Sequence, residues 1–312
     1  MRKATFRTDE LRTAFEAGFG MRLRSLERVD GASALNYKAV RESDGLTFAL
    51  KLFPASRREL RDGLVRHLDF LGRDGGVRTA RRLFADGPEE LLGHAVVCCG
   101  WCEGRRVFPD RLTADELAAF LDEYLRLSKA LQGVEQVRPR YPVEQWRRAV
   151  VWALAKSKTM RDFGRELEQG IPSEDATYRE DLVRTIHGDF HHGNFHFLDG
   201  RLSGVFDLEE FRFGYPAEDI VRYFICAAVH LRWYERGRMR GLHKAFSDAV
   251  RHLPYSAHEW KVAVNGLLLR KVLSILFERR CRRIVRWRLR RNLDMYAAFR
   301  DVAERSCLHE TV

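Results

Sequence analysis

The stretch Ile186-His187-Gly188-Asp189-Phe190-His191-His192-Gly193-Asn194, followed by Gly204-Val205-Phe206-Asp207-Leu208-Glu209, decides how this chain folds. Apolar residues flank a polar core punctuated by Gly188 and Gly193. That pattern predicts two short strands around a tight polar loop. Asp199-Gly200 reads as a hairpin turn that sets Asp207 on the adjacent strand. Asp189 and Asn194 then share one loop, and a second carboxylate follows after the turn.

Transfer of a γ-phosphoryl group asks little covalent chemistry of a protein. It needs a carboxylate at the attacking hydroxyl and oxygen ligands for the magnesium that bridges the phosphates. Asp189, Asn194 and Asp207 supply that set. Two rival readings exist. His187, His191, His192 and His196 contain i,i+4 pairs that would suit zinc on a helix, but Gly188, Gly193 and the flanking strands oppose a helix. The other rival is a polar hairpin without chemistry.

His-Gly-Asp-x4-Asn, followed by a strand with Asp-x-Glu, resembles the aminoglycoside phosphotransferase and choline kinase family, which has a protein-kinase-like fold. The order of the motifs matches from about residue 24 to 225. The resemblance implies an α+β, bilobal fold with a small β-rich N-lobe and a larger helical C-lobe. It implies ATP and Mg2+ as cofactors. Asp189 is then the catalytic base, His187 orients its loop, and Asn194, Asp207 and Glu209 hold the metal. Pro216 and Asp219 fit the following helix, whose Asp braces the loop.

Working outward, Phe48-Ala49-Leu50-Lys51-Leu52-Phe53 puts a lysine in mid-strand, where an unpaired ammonium is costly to bury. It resembles the strand lysine that pairs with the α- and β-phosphates. Its carboxylate partner is expected on the next helix, at Glu59 or alternatively Asp62. Gly31, Ser33 and Ala34 stand where a phosphate loop belongs, since small residues let backbone N–H groups approach phosphate. Cys99, Trp101 and Cys102 lie in the segment where the family's hinge holds adenine. Cys99 and Cys102 form a lone Cys-x-x-Cys, which is weak evidence for zinc or redox chemistry without a second pair.

The remaining elements follow from periodicity. Met21 to Val29, Tyr37 to Arg41 and Leu46 to Phe53 read as strands, Ser56 to Gly72 as a helix ended by Gly75-Gly76, and His94 to Cys99 as a further strand. Thr113 and Glu116 form a capping box, Pro142 to about Gly170 reads as one helix, and helices resume near Pro216. Residues 1–100 are expected to form the nucleotide-binding lobe, and 101–312 the helical lobe with the catalytic loop and acceptor site.

Fewer than ten residues separate Asp207 from the helix near Pro216, and no Ala-Pro-Glu occurs, so a small-molecule hydroxyl acceptor is favoured over a protein. The formal net charge is +11, and eight arginines fall between Arg279 and Arg291. On a helix, seven of them cover about half the circumference. That is either a solvated face or a contact for an anion: an acidic or phosphorylated sugar such as a lipopolysaccharide-core sugar, or a membrane surface touched peripherally. Aminoglycosides, choline and amino alcohols are the alternative acceptors. A reading of another class makes the chain a non-catalytic kinase-fold protein that binds nucleic acid through this helix; the intact Asp189, Asn194, Asp207 and Lys51 oppose it. Met1 to Phe15 lacks a signal-peptide core, no apolar run reaches the ~20 residues of a membrane helix, and the six cysteines form no disulfide pattern, so a cytoplasmic location is expected. Nothing in the sequence fixes an oligomeric state.

Overall fold

A computed structural model describes residues 6–29, 34–73, 80–135, 137–156, 160–199, 201–231, 235–277 and 282–308. Gly31, Ser33, the Gly75-Gly76 helix stop, Gly200, and the start of the arginine run at Arg279 to Cys281 lie outside the described residues. The chain divides into two units. The first comprises residues 1–105 with 195–209; the second comprises 106–194 with 210–312.

The first unit opens with helix α1 (Thr8–Phe19), which had no counterpart in the sequence reading. Its Leu11 and Phe15 bury one helical face, and Phe15 lies 5.7 Å from Phe48. Gly20, at φ 63°, ends it by donating its N–H to the Glu16 carbonyl. Strands β1 (Leu23–Val29), β2 (Leu35–Arg41) and β3 (Thr47–Pro54) then run antiparallel. After helix α2 (Arg58–Arg73) come the short β4 (Arg82–Leu83) and β5 (Glu90–Leu91), and then β6 (His94–Gly100). The sheet order is β1-β2-β3-β6-β4, with β5 also on β6.

Strand β3 is buried on both faces. Phe48, Leu50 and Leu52 point into one core, and the period of two sends Lys51 to the opposite face. The hairpin β8 (Phe195–Leu198) and β9 (Arg201–Val205) belongs to this unit, joined by paired backbone hydrogen bonds between Arg105 and Phe197. Its turn residue Asp199 adopts φ 53°.

The second unit is mostly helical. Helix α3 (Ala114–Ala130) begins at the expected capping box, with the Glu116 N–H donating to Thr113 Oγ1 at 3.2 Å. The span expected as one helix is two, α4 (Val143–Lys156) and α5 (Arg161–Gly170). Strand β7 (Arg184–Ile186) pairs with β10 (Arg212–Gly214), so the strand before the polar loop does not pair with the strand after it. Helices α6 (Pro216–His230), α7 (Arg236–His252), α8 (Ala257–Phe277) and α9 (Arg282–Leu308) complete the unit. Helix α8 is buried along most of its length, from Trp260 to Ile275.

Glu218 is buried in the first turn of α6, where its Oε1 accepts from the Tyr178 hydroxyl at 2.6 Å and the Tyr215 N–H at 2.9 Å. Burial pushes its carboxyl up to about 7. The folded state therefore holds this proton more tightly than the unfolded chain does. The resulting stabilisation is complete below the ordinary glutamate range and is lost as pH rises through about 7. Thermal midpoints of the wild type are expected to fall between pH 5 and 8. In Glu218→Gln, which keeps the accepting oxygen, the fall should shrink by an amount equivalent to about 3 kcal/mol. Equal slopes in the two proteins would contradict this.

Candidate active site

In the second unit, β7 leads directly into the loop 187–194. Gly188 turns the chain at φ 78°, and a Cβ there would run into the Glu210 carbonyl oxygen and the Arg212 side chain. Only glycine fits. Asp219, in the first turn of α6, accepts from the N–H groups of His187 and Gly188, both at 2.8 Å. Tyr124 donates to the same carboxylate at 3.3 Å. The brace expected at Asp219 is thus present as three hydrogen bonds to one carboxylate. Phe190 is fully buried and packs 5.8 Å from Phe120 and 5.1 Å from Tyr124, anchoring the loop from below.

These contacts leave Asp189 partly exposed between buried neighbours. Its backbone N–H donates to His187 Nδ1 at 3.3 Å, and His187 is itself fully buried against Phe190 and Phe211. Asn194 donates its amide to the Asp189 carbonyl at 2.9 Å and to Oδ2 at 3.1 Å. Arg222 reaches Oδ1 at 2.5 Å, and His191 Nε2 lies 3.5 Å from Oδ2. Burial alone would raise the carboxyl, yet the His191 hydrogen bond and the Arg222 charge hold it far below the ordinary range. The side chain is a permanent carboxylate at any physiological pH.

The four histidines do not converge. His187 serves the loop, His191 faces Asp189, and His192 stacks on Phe108 and His230 at 4.3 and 5.0 Å. His196 Nδ1 sits 2.8 Å from the Cys102 carbonyl oxygen in the first unit. Burial, with the charges of His191 and His230, lowers His192 to about 4, so it stays neutral.

In the first unit, Lys51 is buried and its Nζ lies 2.6 Å from Asp207 Oδ1 and 3.4 Å from both oxygens of Glu209. Burial opposes its charge, but Glu209 and Asp207 outweigh that and raise its pKa. This overturns the pairing with Glu59. Glu59 is exposed in the first turn of α2, and Asp62 pairs instead with Arg61 at 2.9 Å. The inward face of α2 carries Leu64, His67, Leu68 and Leu71. His67 Nδ1 meets the Leu208 backbone oxygen at 2.8 Å, so an imidazole stands on the face where a carboxylate was expected.

Asp207 is two residues past the end of β9 rather than on the strand, at φ 61°. That left-handed turn swings its carboxylate toward Lys51, and Asp tolerates the conformation better than most residues. Ala34 is buried at the start of β2. Cys99 is buried near the end of β6 and Trp101 follows it, with Lys38 Nζ 4.8 Å above the indole. Burial pushes the Cys99 thiol up to about 12 and the Cys102 thiol to about 11. Burial thus makes both thiols poor nucleophiles.

Sequence reasoning overlooked Arg222, although it lies one turn beyond Asp219 on α6, and i,i+3 spacing alone puts the two on one face. Tyr141 and Arg270, which gather around Arg222, come from distant elements and carry no local signal.

A family model described as the phosphotransferase enzyme family matches residues 25–251. No curated protein matches the chain. Among solved structures, an aminoglycoside phosphotransferase from Alicyclobacillus acidocaldarius subsp. acidocaldarius is 12% identical, covers 99% of this chain and 97% of its own, and superposes with a TM-score of 0.64. A spectinomycin phosphotransferase, solved with ADP and spectinomycin, is 13% identical over 99% of this chain and 100% of that one, TM-score 0.61. A macrolide 2'-phosphotransferase from Brachybacterium faecium is 15% identical over 96% and 97%, TM-score 0.55. At such identities the likeness is one of fold, the protein-kinase-like fold with a β-rich and a helical part.

Proposed function

Because the chain belongs to the phosphotransferase enzyme family, we propose that it moves the γ-phosphoryl group of ATP to a hydroxyl of a small molecule. The observation that carries this reading is the state of Asp189: a carboxylate kept ionised, hydrogen-bonded to Asn194, on a loop pinned by Asp219. Asp189 takes the acceptor's proton. The acceptor oxygen bonds to the γ-phosphorus as the bond to the β,γ-bridging oxygen breaks, and ADP leaves. His187 keeps the loop in position through the Asp189 N–H.

The side chains present suit magnesium and a nucleotide. Asn194, Asp207 and Glu209 offer the oxygen ligands that a hard cation takes. Magnesium held there would offset the charge of the transferring phosphate. Lys51, held protonated by two carboxylates, is placed to exchange them for the α- and β-phosphates. We assign Gly31, Ser33 and Ala34 to the phosphate loop and Cys99, Trp101 and Cys102 to the adenine edge. The first unit, residues 1–105 with 195–209, is then the nucleotide-binding lobe in place of the expected 1–100, and the second carries the catalytic loop and the acceptor site. No helix among the described residues is long and apolar enough to cross a membrane; five free cysteines among the described residues, two of them buried, fit a cytoplasmic setting.

The arginine-rich segment gives less support to a nucleic-acid binder than its composition suggested. Arg286 and Arg290 lie 5.8 and 4.8 Å over the Phe163 ring, and Arg290 pairs with Glu166 at 2.9 Å, so part of that face is packed on α5. ATP turnover separates the two readings. Magnesium-dependent release or transfer of labelled γ-phosphate is expected with a panel of hydroxyl compounds. A chain that binds nucleic acid and shows no magnesium-dependent turnover, with water or any acceptor, would refute the proposal.

A further inference from the structure

On α6, Asp219, Arg222 and Cys226 follow one another along a single face. Asp219 holds the catalytic loop and Arg222 holds Asp189. Beyond them, positive charge accumulates. Arg222 also hydrogen-bonds to Tyr141, two residues before α4. The Tyr141 hydroxyl accepts from Arg270 on α8, whose guanidinium lies 5.0 Å from the ring centroid. Cys226 feels Arg222, Arg270 and Lys271 together. Among the described residues, no carboxylate forms a salt bridge with Arg270 or Lys271, and Asp189 is the carboxylate that meets Arg222. Arg270 is exposed, Lys271 and Cys226 are half-buried, and the Arg222 Nε is buried without a hydrogen-bond partner.

Arg222 already has Asp189, whereas neither Arg270 nor Lys271 forms a salt bridge among the described residues. Mutual repulsion among them is costly unless an anion joins them. Two guanidiniums bridged by a tyrosine hydroxyl present planar forks that match a carboxylate or phosphate. Resting on the phosphotransferase reading, we infer that Arg222, Arg270 and Lys271 form an anion subsite of the acceptor pocket, and that the acceptor carries a phosphate or carboxylate within a few bonds of the hydroxyl it presents to Asp189. The closeness follows from Arg222, which touches Asp189 itself. An anion that draws Arg222 toward Arg270 loosens its hold on Asp189 Oδ1 and leaves that oxygen free to accept the hydroxyl proton. An amine-bearing acceptor has no counter-charge here and leaves Arg222 on Asp189.

The test uses the full chain loaded with saturating magnesium and a non-hydrolysable ATP analogue, so that the sites of all three nucleotide phosphates are filled. Inorganic phosphate is titrated by calorimetry into the wild type, into Arg270→Gln/Lys271→Gln, and into Arg148→Gln, an exposed arginine on α4 paired with Glu144. The double substitution should weaken phosphate binding by about tenfold or more, and Arg148→Gln should leave it unchanged. Lys271→Gln alone serves if the double variant loses its thermal transition. In parallel, labelled ATP is offered with glycerol 3-phosphate, glycerate, glycerol and ethanolamine. The wild type should favour the two anions over glycerol, and the ratio should fall toward one in the double variant; preference for glycerol 3-phosphate over glycerate, or the reverse, identifies the anion. Equal phosphate binding by wild type and double variant, or equal use of ethanolamine and the anions, overturns the subsite. Phosphate binding that depends on Arg270 and Lys271 without any ATP turnover would uphold the subsite and sink the phosphotransferase reading.

Discussion

Asp189→Asn should fold, bind nucleotide and lose about 10²–10⁴-fold in kcat, the range that a positioned general base supplies. Asparagine matches the shape of Asp189 and keeps an oxygen for the Asn194 amide. It has no negative charge to accept the hydroxyl proton. It also cannot neutralise Arg222, which stands 2.5 Å away and is largely buried. An uncompensated guanidinium next to the acceptor adds an electrostatic penalty to the missing base. Nucleotide affinity should hardly move, because Lys51, Asp207 and Glu209 pair among themselves in the first unit. Single-turnover kinetics with labelled ATP, alongside calorimetry with a non-hydrolysable analogue, would separate the two quantities. A kcat within threefold of wild type would remove Asp189 from the role of base. A collapse of the thermal midpoint would instead show that Asp189 is chiefly a counter-ion for Arg222.

The loop 187–194 was legible because the chemistry proposed for it is local. Asp189 and Asn194 lie on one short turn, and Gly188 marks the left-handed position that turn requires. Asp219 was legible for a similar reason, since it sits at the start of a helix announced by Pro216. Lys51 could be placed from the two-residue alternation of β3. Its partner could not. The pairing depends on the backbone leaving β9 in a left-handed turn at Asp207 and on α2 turning His67 inward, two tertiary facts with no periodic signature. Glu59 was the nearest acid in sequence and lies on the wrong part of the helix. Helix α1 has a weak sequence signature: two buried apolar residues, Leu11 and Phe15, spaced four apart, and Gly20 at its end. The split between α4 and α5 carried no proline or glycine to mark it in the sequence.

Asp207→Ala should abolish the magnesium dependence of nucleotide binding, with an affinity loss for magnesium–ATP of about a hundredfold or more. Two effects of the substitution act on the same site. The carboxylate proposed as a metal ligand disappears, and Lys51 keeps its contact with Glu209 at 3.4 Å. A third effect is structural. At φ 61° an alanine is less at ease than an aspartate, so part of any loss could come from a shifted turn. Asp207→Asn isolates it: asparagine tolerates the left-handed region as well as aspartate does and retains an oxygen ligand, but loses the charge. The expected order of affinity is therefore wild type, then Asp207→Asn, then Asp207→Ala, with nucleotide binding in the absence of magnesium similar for all three. Calorimetric titrations with and without magnesium would show it. If Asp207→Ala bound magnesium–ATP as tightly as wild type, Asp207 would be no more than the counter-ion of Lys51. If instead Asp207→Asn and Asp207→Ala lost affinity equally, with and without magnesium, the turn and the lysine pairing would explain the effect, and the metal would have to be held by Asn194 and Glu209 without it.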